Sequence, residues 1–154
     1  GYGTYTVRMQ TAKSSGVVST FFTYINLTPS TNKETNDEID VEIPGARTRT
    51  LEATYYKEGM PRYGIEHTIA LPFDSSLAFH TYSIVWLPNS ISWVVDGKTL
   101  YAAHGSPATM PTHPSNFVLN FWSGTNALDN WLGPLHYTHP LHALYDYASF
   151  TPYK

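Results

Sequence analysis

The sequence of 154 residues predicts an all-β fold, and three patterns support that prediction. Apolar and polar side chains alternate with a period of two, as in Tyr5, Val7 and Met9, which is typical of half-buried strands. Turn sequences such as Asp96-Gly97 separate the alternating stretches, and no stretch holds a convincing helical period. Many short strands joined by Gly- and Pro-containing turns indicate a two-sheet sandwich, a jelly roll or a barrel.

Ten strands are expected along the chain. They lie near residues 3–10, 16–26, 37–43, 50–57, 63–71, 80–87, 90–96, 99–104, 116–122 and 141–150. Five prolines divide the later part of the chain into loops, because proline cannot continue a helix or a central strand. These are Pro107, Pro111, Pro114, Pro134 and Pro140. A chain of this length fits one domain.

The composition argues against two classes of partner. The net charge is −3, and the 9 Lys and Arg residues are scattered, whereas a nucleic-acid partner requires a concentrated basic face. No apolar run approaches the ~20 residues of a membrane span. The aromatic content is high, with 12 Tyr, 7 Phe and 4 Trp, which suits stacking on sugar rings as well as a β-rich core. We therefore expect neither a nucleic-acid nor a membrane partner.

One predicted strand carries three carboxylates on one face. Within the run Asp-Glu-Ile-Asp-Val-Glu-Ile at residues 37–43, Glu38, Asp40 and Glu42 occupy alternate positions and so point to the same side. Retaining glycosidases use two carboxylates about 5–5.5 Å apart, one as nucleophile and one as acid/base. The spacing permits this distance without establishing it. By pattern alone, a solvated edge strand or a calcium site fits as well.

The middle carboxylate has a chemical purpose of its own. Asp40 lies between the two Glu residues and can share a proton or a hydrogen bond with Glu38. Coupled carboxylates push their apparent pKa values apart. One group can then stay ionised as a nucleophile while another holds a proton.

The acidic strand resembles the E-x-D-x-E signature of glycoside hydrolase family 16. Other stretches resemble the family's bacterial lichenases in the same order, and together they cover nearly the whole chain. They are Tyr2-Gly3-Thr4-Tyr5, residues 16–24, Phe79-His80-Thr81-Tyr82, residues 93–97, residues 120–125 and Trp131-Leu132-Gly133. The resemblance implies a two-sheet β-jelly-roll sandwich with a substrate cleft on its concave sheet. It also implies that residues 1–154 form a single catalytic domain from which the family's N-terminal strands are missing.

By this resemblance, Glu38 is the nucleophile, Glu42 the general acid/base and Asp40 an auxiliary carboxylate. Five further residues match positions that line the family's cleft, with Trp122 as the expected sugar-stacking platform. They are Phe22, Tyr24, Tyr56, Asn120 and Trp122.

The chain departs from the lichenase pattern at two positions. Asn36 stands where lichenases usually have Trp, and Thr54 stands where they have Asn. Both changes are expected to remove substrate contacts. Two nearby cationic residues, Arg47 and Arg49, are expected to be solvated charges at strand ends.

The resemblance implies no cofactor for catalysis but one structural metal. Asp146, within Leu144-Tyr145-Asp146-Tyr147, matches the family's side-chain ligand for calcium. His136, His139 and His142 have a spacing that metal ligands can have. We expect them to lie on a surface loop instead.

The function that the resemblance implies is a retaining endo-β-glucanase, which hydrolyses β-1,3-1,4-glucan of lichenan type by double displacement. A glucan transglycosylase and a non-catalytic β-glucan-binding module are the alternatives. The expected partners are a β-glucan polysaccharide or oligosaccharide and a second chain or segment that supplies the missing strands. A secreted, extracellular protein is expected.

Overall fold

The computed structural model describes residues 1–28, 35–60 and 67–154. Ten strands form in the described ranges: β1 Gly3–Gln10, β2 Val17–Asn26, β3 Asn36–Pro44, β4 Thr50–Tyr56, β5 His67–Ala70, β6 His80–Leu87, β7 Ser90–Val95, β8 Lys98–His104, β9 Asn116–Ser123 and β10 Leu144–Pro152. The predicted all-β fold is confirmed. Of the predicted strand 63–71, only the part from residue 67 can be compared, because residues 61–66 lie outside the described ranges.

One short helical segment differs from the sequence-based expectation. A 3-10 turn at Asn126–Leu128 leads directly into a four-residue helix, α1, at Asp129–Leu132. A single turn is too short to display a period of 3.6 residues, so periodicity could not reveal it. None of the helical segments in the described ranges has the length and apolarity that crossing a membrane requires.

The strands form two five-stranded antiparallel sheets packed as a jelly-roll sandwich. Sheet I has the order β10-β1-β6-β7-β8, and sheet II has the order β5-β4-β3-β2-β9. The acidic strand β3 is therefore the central strand of sheet II, paired with β2 on one side and β4 on the other. A central strand has its backbone groups bonded on both sides, so its position is strongly constrained.

The alternating apolar residues of the two sheets meet in one core. Ile39, Val41 and Ile43 of β3 are at most 1% exposed, as their alternation with the carboxylates predicts. Burial of each such side chain stabilises the fold by about 1.5–3 kcal/mol. The acidic face of β3 therefore has a rigid apolar backing.

A hydrogen bond between the sheets fixes the centre of β3. The buried indole of Trp93, on β7, donates through Nε1 to the backbone carbonyl of Asp40 at 2.7 Å. A buried carbonyl that lost this donor would cost about 1–3 kcal/mol. The bond therefore fastens sheet I to the middle of the acidic strand.

A buried carboxylate anchors two loops to the start of β3. Asp37 is fully buried and accepts hydrogen bonds from the backbone N–H groups of Glu58, Thr112 and His113. Lys57 Nζ lies 3.7 Å from the same carboxylate. Burial alone would raise the pKa of Asp37, but these hydrogen bonds hold the pKa below its ordinary value. The start of the acidic strand is thus held in place by charge as well as by the sheet.

Candidate active site

The register of sheet II places the predicted site residues on one face. In an antiparallel pair, directly opposite residues point to the same side. Phe22 and Tyr24 of β2 lie opposite Asp40 and Glu38, and Tyr56 of β4 lies opposite Glu38. The carboxylates at the centre of the sheet are therefore flanked by aromatic side chains on both neighbouring strands.

The same face continues across β2 to the edge strand β9. Thr20 lies opposite Glu42 on one side and opposite Asn120 on the other, and Trp122 follows two residues later on the same face of β9. The structure thus brings all eight predicted positions to one face: Glu38, Asp40, Glu42, Phe22, Tyr24, Tyr56, Asn120 and Trp122. We call this surface the carboxylate face.

The middle carboxylate is buried, and its surroundings favour the protonated form. Asp40 is 5% exposed, and its pKa is raised well above its ordinary value. Burial is the largest cause, followed by the charges of Glu38 and Glu42 and by a hydrogen bond with Glu38. A carboxylic acid that keeps its proton can donate it in a hydrogen bond to a neighbouring carboxylate. Asp40 and Glu38 are therefore joined by a hydrogen bond that stabilises the protonated form of Asp40.

Asn36 gives a second donor to Glu38. Its side chain is almost fully buried, and its amide Nδ2 donates to Glu38 Oε2. Residues two apart on a strand share a face, which explains the contact. The expectation that Asn36 removes a substrate contact is incomplete, because this residue also restrains Glu38. Thr54, the second departure from the lichenase pattern, lies opposite Asp40 on β4 and is 6% exposed.

A fourth carboxylate on this face was missed by the sequence analysis. Glu52 of β4 lies directly opposite Glu42 and is 1% exposed. Arg47 Nη2 lies 2.5 Å from Glu52 Oε1, and the indole Nε1 of Trp131 donates to Oε2 at 2.6 Å. Arg47 is exposed, as expected, but it also pairs with a buried carboxylate, which the sequence analysis did not anticipate. The alternation of Glu52, Thr54 and Tyr56 along one strand could have revealed Glu52.

A cavity lies beside the edge strand β9 and the start of β2. It has a volume of about 490 Å³ and is lined by Trp122 together with Leu135, Tyr137 and Leu141 from the chain between α1 and β10. The carboxylates of β3 are not part of its lining.

The residues around Asp146 offer little support for calcium. Arg8 Nη1 lies 2.6 Å from Asp146 Oδ2, so a cation at this oxygen would have to displace a guanidinium. Within residues 1–28, 35–60 and 67–154, no group of three or more acidic, His or Cys side chains is placed to hold a metal. His136 and His139 are exposed. Calcium binding at Asp146 stays a prediction, and the ion pair with Arg8 argues against it.

The fold and the face together define a class of protein. A β-jelly roll with coupled carboxylates at the centre of one sheet, flanked by aromatic side chains, has the architecture of carbohydrate-active enzymes. The chain belongs to the glycosyl hydrolases family 16, whose family model matches residues 1–139.

Named relatives agree with this assignment. A β-glucanase of Bacillus subtilis (strain 168) is 42% identical over 151 residues, which cover 98% of this chain and 59% of that protein. The structure of Bacillus licheniformis β-glucanase superposes with a TM-score of 0.88 at 38% identity, covering 99% of this chain and 67% of that one. A β-1,3-1,4-glucanase (lichenase) derived from a mouse hindgut metagenome gives a TM-score of 0.87 at 39% identity, with the same coverage. The chain thus spans 59% of the length of the Bacillus subtilis relative.

Proposed function

We propose that this chain carries the catalytic site of a retaining endo-β-glucanase that hydrolyses β-1,3-1,4-glucan. The observation that carries the proposal is the arrangement on β3, where Glu38 and Glu42 flank the buried Asp40, whose pKa is raised by burial and by the two neighbouring charges. The β-glucanase relatives support the class of substrate. A binding surface has no need of a buried Asp40 between two half-buried Glu residues, because a buried carboxylate costs on the order of several kcal/mol unless it is paired.

In the first chemical step, Glu42 gives its proton to the glycosidic oxygen while a carboxylate oxygen of Glu38 bonds to the anomeric carbon. The bond between that carbon and the glycosidic oxygen breaks, and the shortened chain leaves as an alcohol. In the second step, water gives a proton to Glu42 and attacks the anomeric carbon. The ester bond breaks, which regenerates the carboxylate of Glu38.

The hydrogen bonds to Glu38 fit both steps. Asn36 and Asp40 each contact its carboxylate, so its orientation is fixed before substrate binds. When the ester breaks in the second step, negative charge returns to Glu38. The proton on Asp40 and the amide of Asn36 are already placed to stabilise that charge.

The aromatic side chains of the carboxylate face provide the substrate contacts in this proposal. Phe22, Tyr24 and Tyr56 flank the carboxylates, and Trp122 lies farther along the face on β9. Sugar rings present apolar C–H faces that pack on aromatic rings, while Asn120 supplies hydrogen-bonding groups. An extracellular location is part of the proposal, because a polysaccharide chain is too large to enter a cell intact.

Two azide-rescue reactions test the two Glu assignments. In Glu38→Ala, azide enters the vacated space and attacks the anomeric carbon once, so a β-linked substrate gives an α-glycosyl azide. In Glu42→Ala, a substrate with a good leaving group still forms the glycosyl-enzyme, and azide then gives the β-glycosyl azide. Glu58→Gln removes the charge of a 60%-exposed carboxylate beyond the end of β4, and the variant is expected to turn over like the unmodified chain.

The products decide between the proposal and its alternatives. Opposite anomers from the two variants support the assigned roles, and a reversed pair would contradict them. Product sizing with mixed-linkage β-glucan separates hydrolysis from transfer, because transglycosylation makes chains longer than the substrate. Glucan binding without release of reducing ends from the unmodified chain would indicate a binding module.

A further inference from the structure

We propose that Glu52 and Arg47 are positioning residues that hold the tryptophan pair Trp122 and Trp131 against the acid/base end of the carboxylate face. The inference rests on the proposed function and adds the device that orients its sugar-stacking platform. We call Arg47, Glu52 and Trp131 the clamp.

The clamp holds Trp131 at two points. Glu52 Oε2 accepts a hydrogen bond from the indole Nε1 at 2.6 Å, and Arg47 Nη1 donates to the backbone carbonyl of Trp131 at 2.6 Å. Arg47 Nη2 also forms an ion pair with Glu52 Oε1, so each of the three residues contacts the other two. Both the ring and the main chain of Trp131 are thereby fixed, although Trp131 lies in a helix of only four residues that could not hold its own orientation.

Trp131 passes this restraint to Trp122. The two ring centroids are 5.8 Å apart with an interplanar angle of 50°, within the range of favourable aromatic pairs. Trp122 belongs to the edge strand β9 and is only half-buried, so its own strand restrains it weakly. The clamp is therefore a second support for the platform, which comes from β4 and the loop that precedes it.

The charge of Glu52 argues that the clamp serves the site and not only the fold. Glu52 is buried directly opposite Glu42, where a like charge is unfavourable and a neutral side chain would cost less. Arg47 offsets that charge while remaining 41% exposed. A purely structural contact to one indole N–H would need no carboxylate. The arrangement instead ties the aromatic platform to the strand position beside the acid/base.

The test uses Arg47→Met and Glu52→Gln, with Arg49→Met as the matched control. Arg49 lies on the same segment and donates to the carbonyl of Pro72, so its loss removes an equal charge without touching the clamp. We expect both clamp variants to raise KM for mixed-linkage β-glucan about three- to tenfold, a partial loss of one stacked ring, with kcat changed less than about twofold. Arg49→Met should leave both parameters unchanged.

A second readout does not depend on turnover. The indole N–H resonances of Trp122 and Trp131, assigned with Trp122→Phe and Trp131→Phe, should both move in Arg47→Met and Glu52→Gln but stay in place in Arg49→Met. If the resonance of Trp122 does not respond to the clamp variants, the positioning role is wrong whether or not the chain cleaves glucan. If Trp122 responds but KM stays constant in an active protein, the role in substrate binding is wrong. An unmodified chain that neither binds nor cleaves glucan contradicts the proposed function. In that case, the response of the Trp122 indole resonance to the clamp variants is the only test of the positioning role.

Discussion

The centre and the edge of sheet II differ in how firmly they are held. Every residue of β3 is buried or half-buried, and the strand pairs on both sides. Every residue of β9 is half-buried or exposed, and the strand pairs with β2 at the end of the sheet order. The carboxylates Glu38, Asp40 and Glu42 lie on the buried central strand, whereas Asn120 and Trp122 lie on the more exposed edge strand. In the proposed function, bond cleavage therefore depends on the central strand, whereas the Trp122 stacking platform depends on the edge strand of the same sheet.

The difference has a chemical logic. Two carboxylates that must act on one bond tolerate little displacement, because a shift of about 1 Å can cost a hundredfold in rate. A stacking platform tolerates more, since contact between a ring and a sugar face changes slowly with position. The bond from Trp93 to Asp40 reinforces the first region, and the clamp reinforces the second.

The largest stability difference should separate matched substitutions in the two regions. Ile39→Ala removes a fully buried side chain behind the carboxylates and should lower the free energy of unfolding by about 2–5 kcal/mol. Leu119→Ala, at a 37%-exposed position on the edge strand, should lower it by less than about 1 kcal/mol. Urea unfolding followed by circular dichroism measures both. Equal losses would mean that β9 is as tightly packed as β3.

A binding effect should appear at the edge without a chemical effect at the centre. Trp122→Ala is expected to weaken substrate binding by about 1–3 kcal/mol, seen as a higher KM, while kcat changes less. Trp122→Phe keeps an aromatic face and should recover much of the loss. Steady-state kinetics on mixed-linkage β-glucan provide the measurement. A fall in kcat with constant KM would place Trp122 in the chemical step instead.

The last expected effect is a dependence of stability on pH, and it concerns the buried acid at the centre. Because the pKa of Asp40 is raised in the folded protein, the folded state holds this proton more tightly than the unfolded chain. The resulting stability is fully present below the unfolded pKa of about 3.9 and is lost as pH rises through the folded pKa.

Asp40→Asn removes that dependence. The variant should match the unmodified chain in stability near pH 3.5 and exceed it increasingly as pH rises, while losing activity; the pH range starts at about the ordinary pKa of an aspartic acid. Thermal unfolding across this pH range measures the difference. A stability difference that stays constant with pH would show that Asp40 does not hold its proton in the folded state.

The strand pattern was predictable because alternation is a local property. Once β3 was recognised as a strand, the shared face of Glu38, Asp40 and Glu42 followed from a period of two. The positions of β2, β4 and β9 beside β3 could be predicted only from the family resemblance, because the sequence of one strand does not determine its register with another.

Two of the contacts that escaped prediction join distant parts of the chain. Trp131 and Glu52 are 79 residues apart, and Arg8 and Asp146 are 138 apart. Nothing in the local sequence around Arg47 indicates that its partner is buried on the next strand. Asn36 is a different case, because its contact with Glu38 lies two residues away. The resemblance to lichenases indicates the substrate contact that is lost when Asn replaces Trp, but it does not indicate the hydrogen bond that the Asn36 amide donates to Glu38.

The four tryptophans of the chain divide equally between two environments. Trp86 and Trp93 are at most 1% exposed in the core, whereas Trp122 and Trp131 are half-buried beside the carboxylate face. A water-soluble fluorescence quencher such as acrylamide should therefore reach one pair and spare the other. A bound oligosaccharide would shield the accessible pair, and unfolding would expose the hidden pair. Intrinsic tryptophan fluorescence can thus report oligosaccharide binding and unfolding separately, in one sample and without a label.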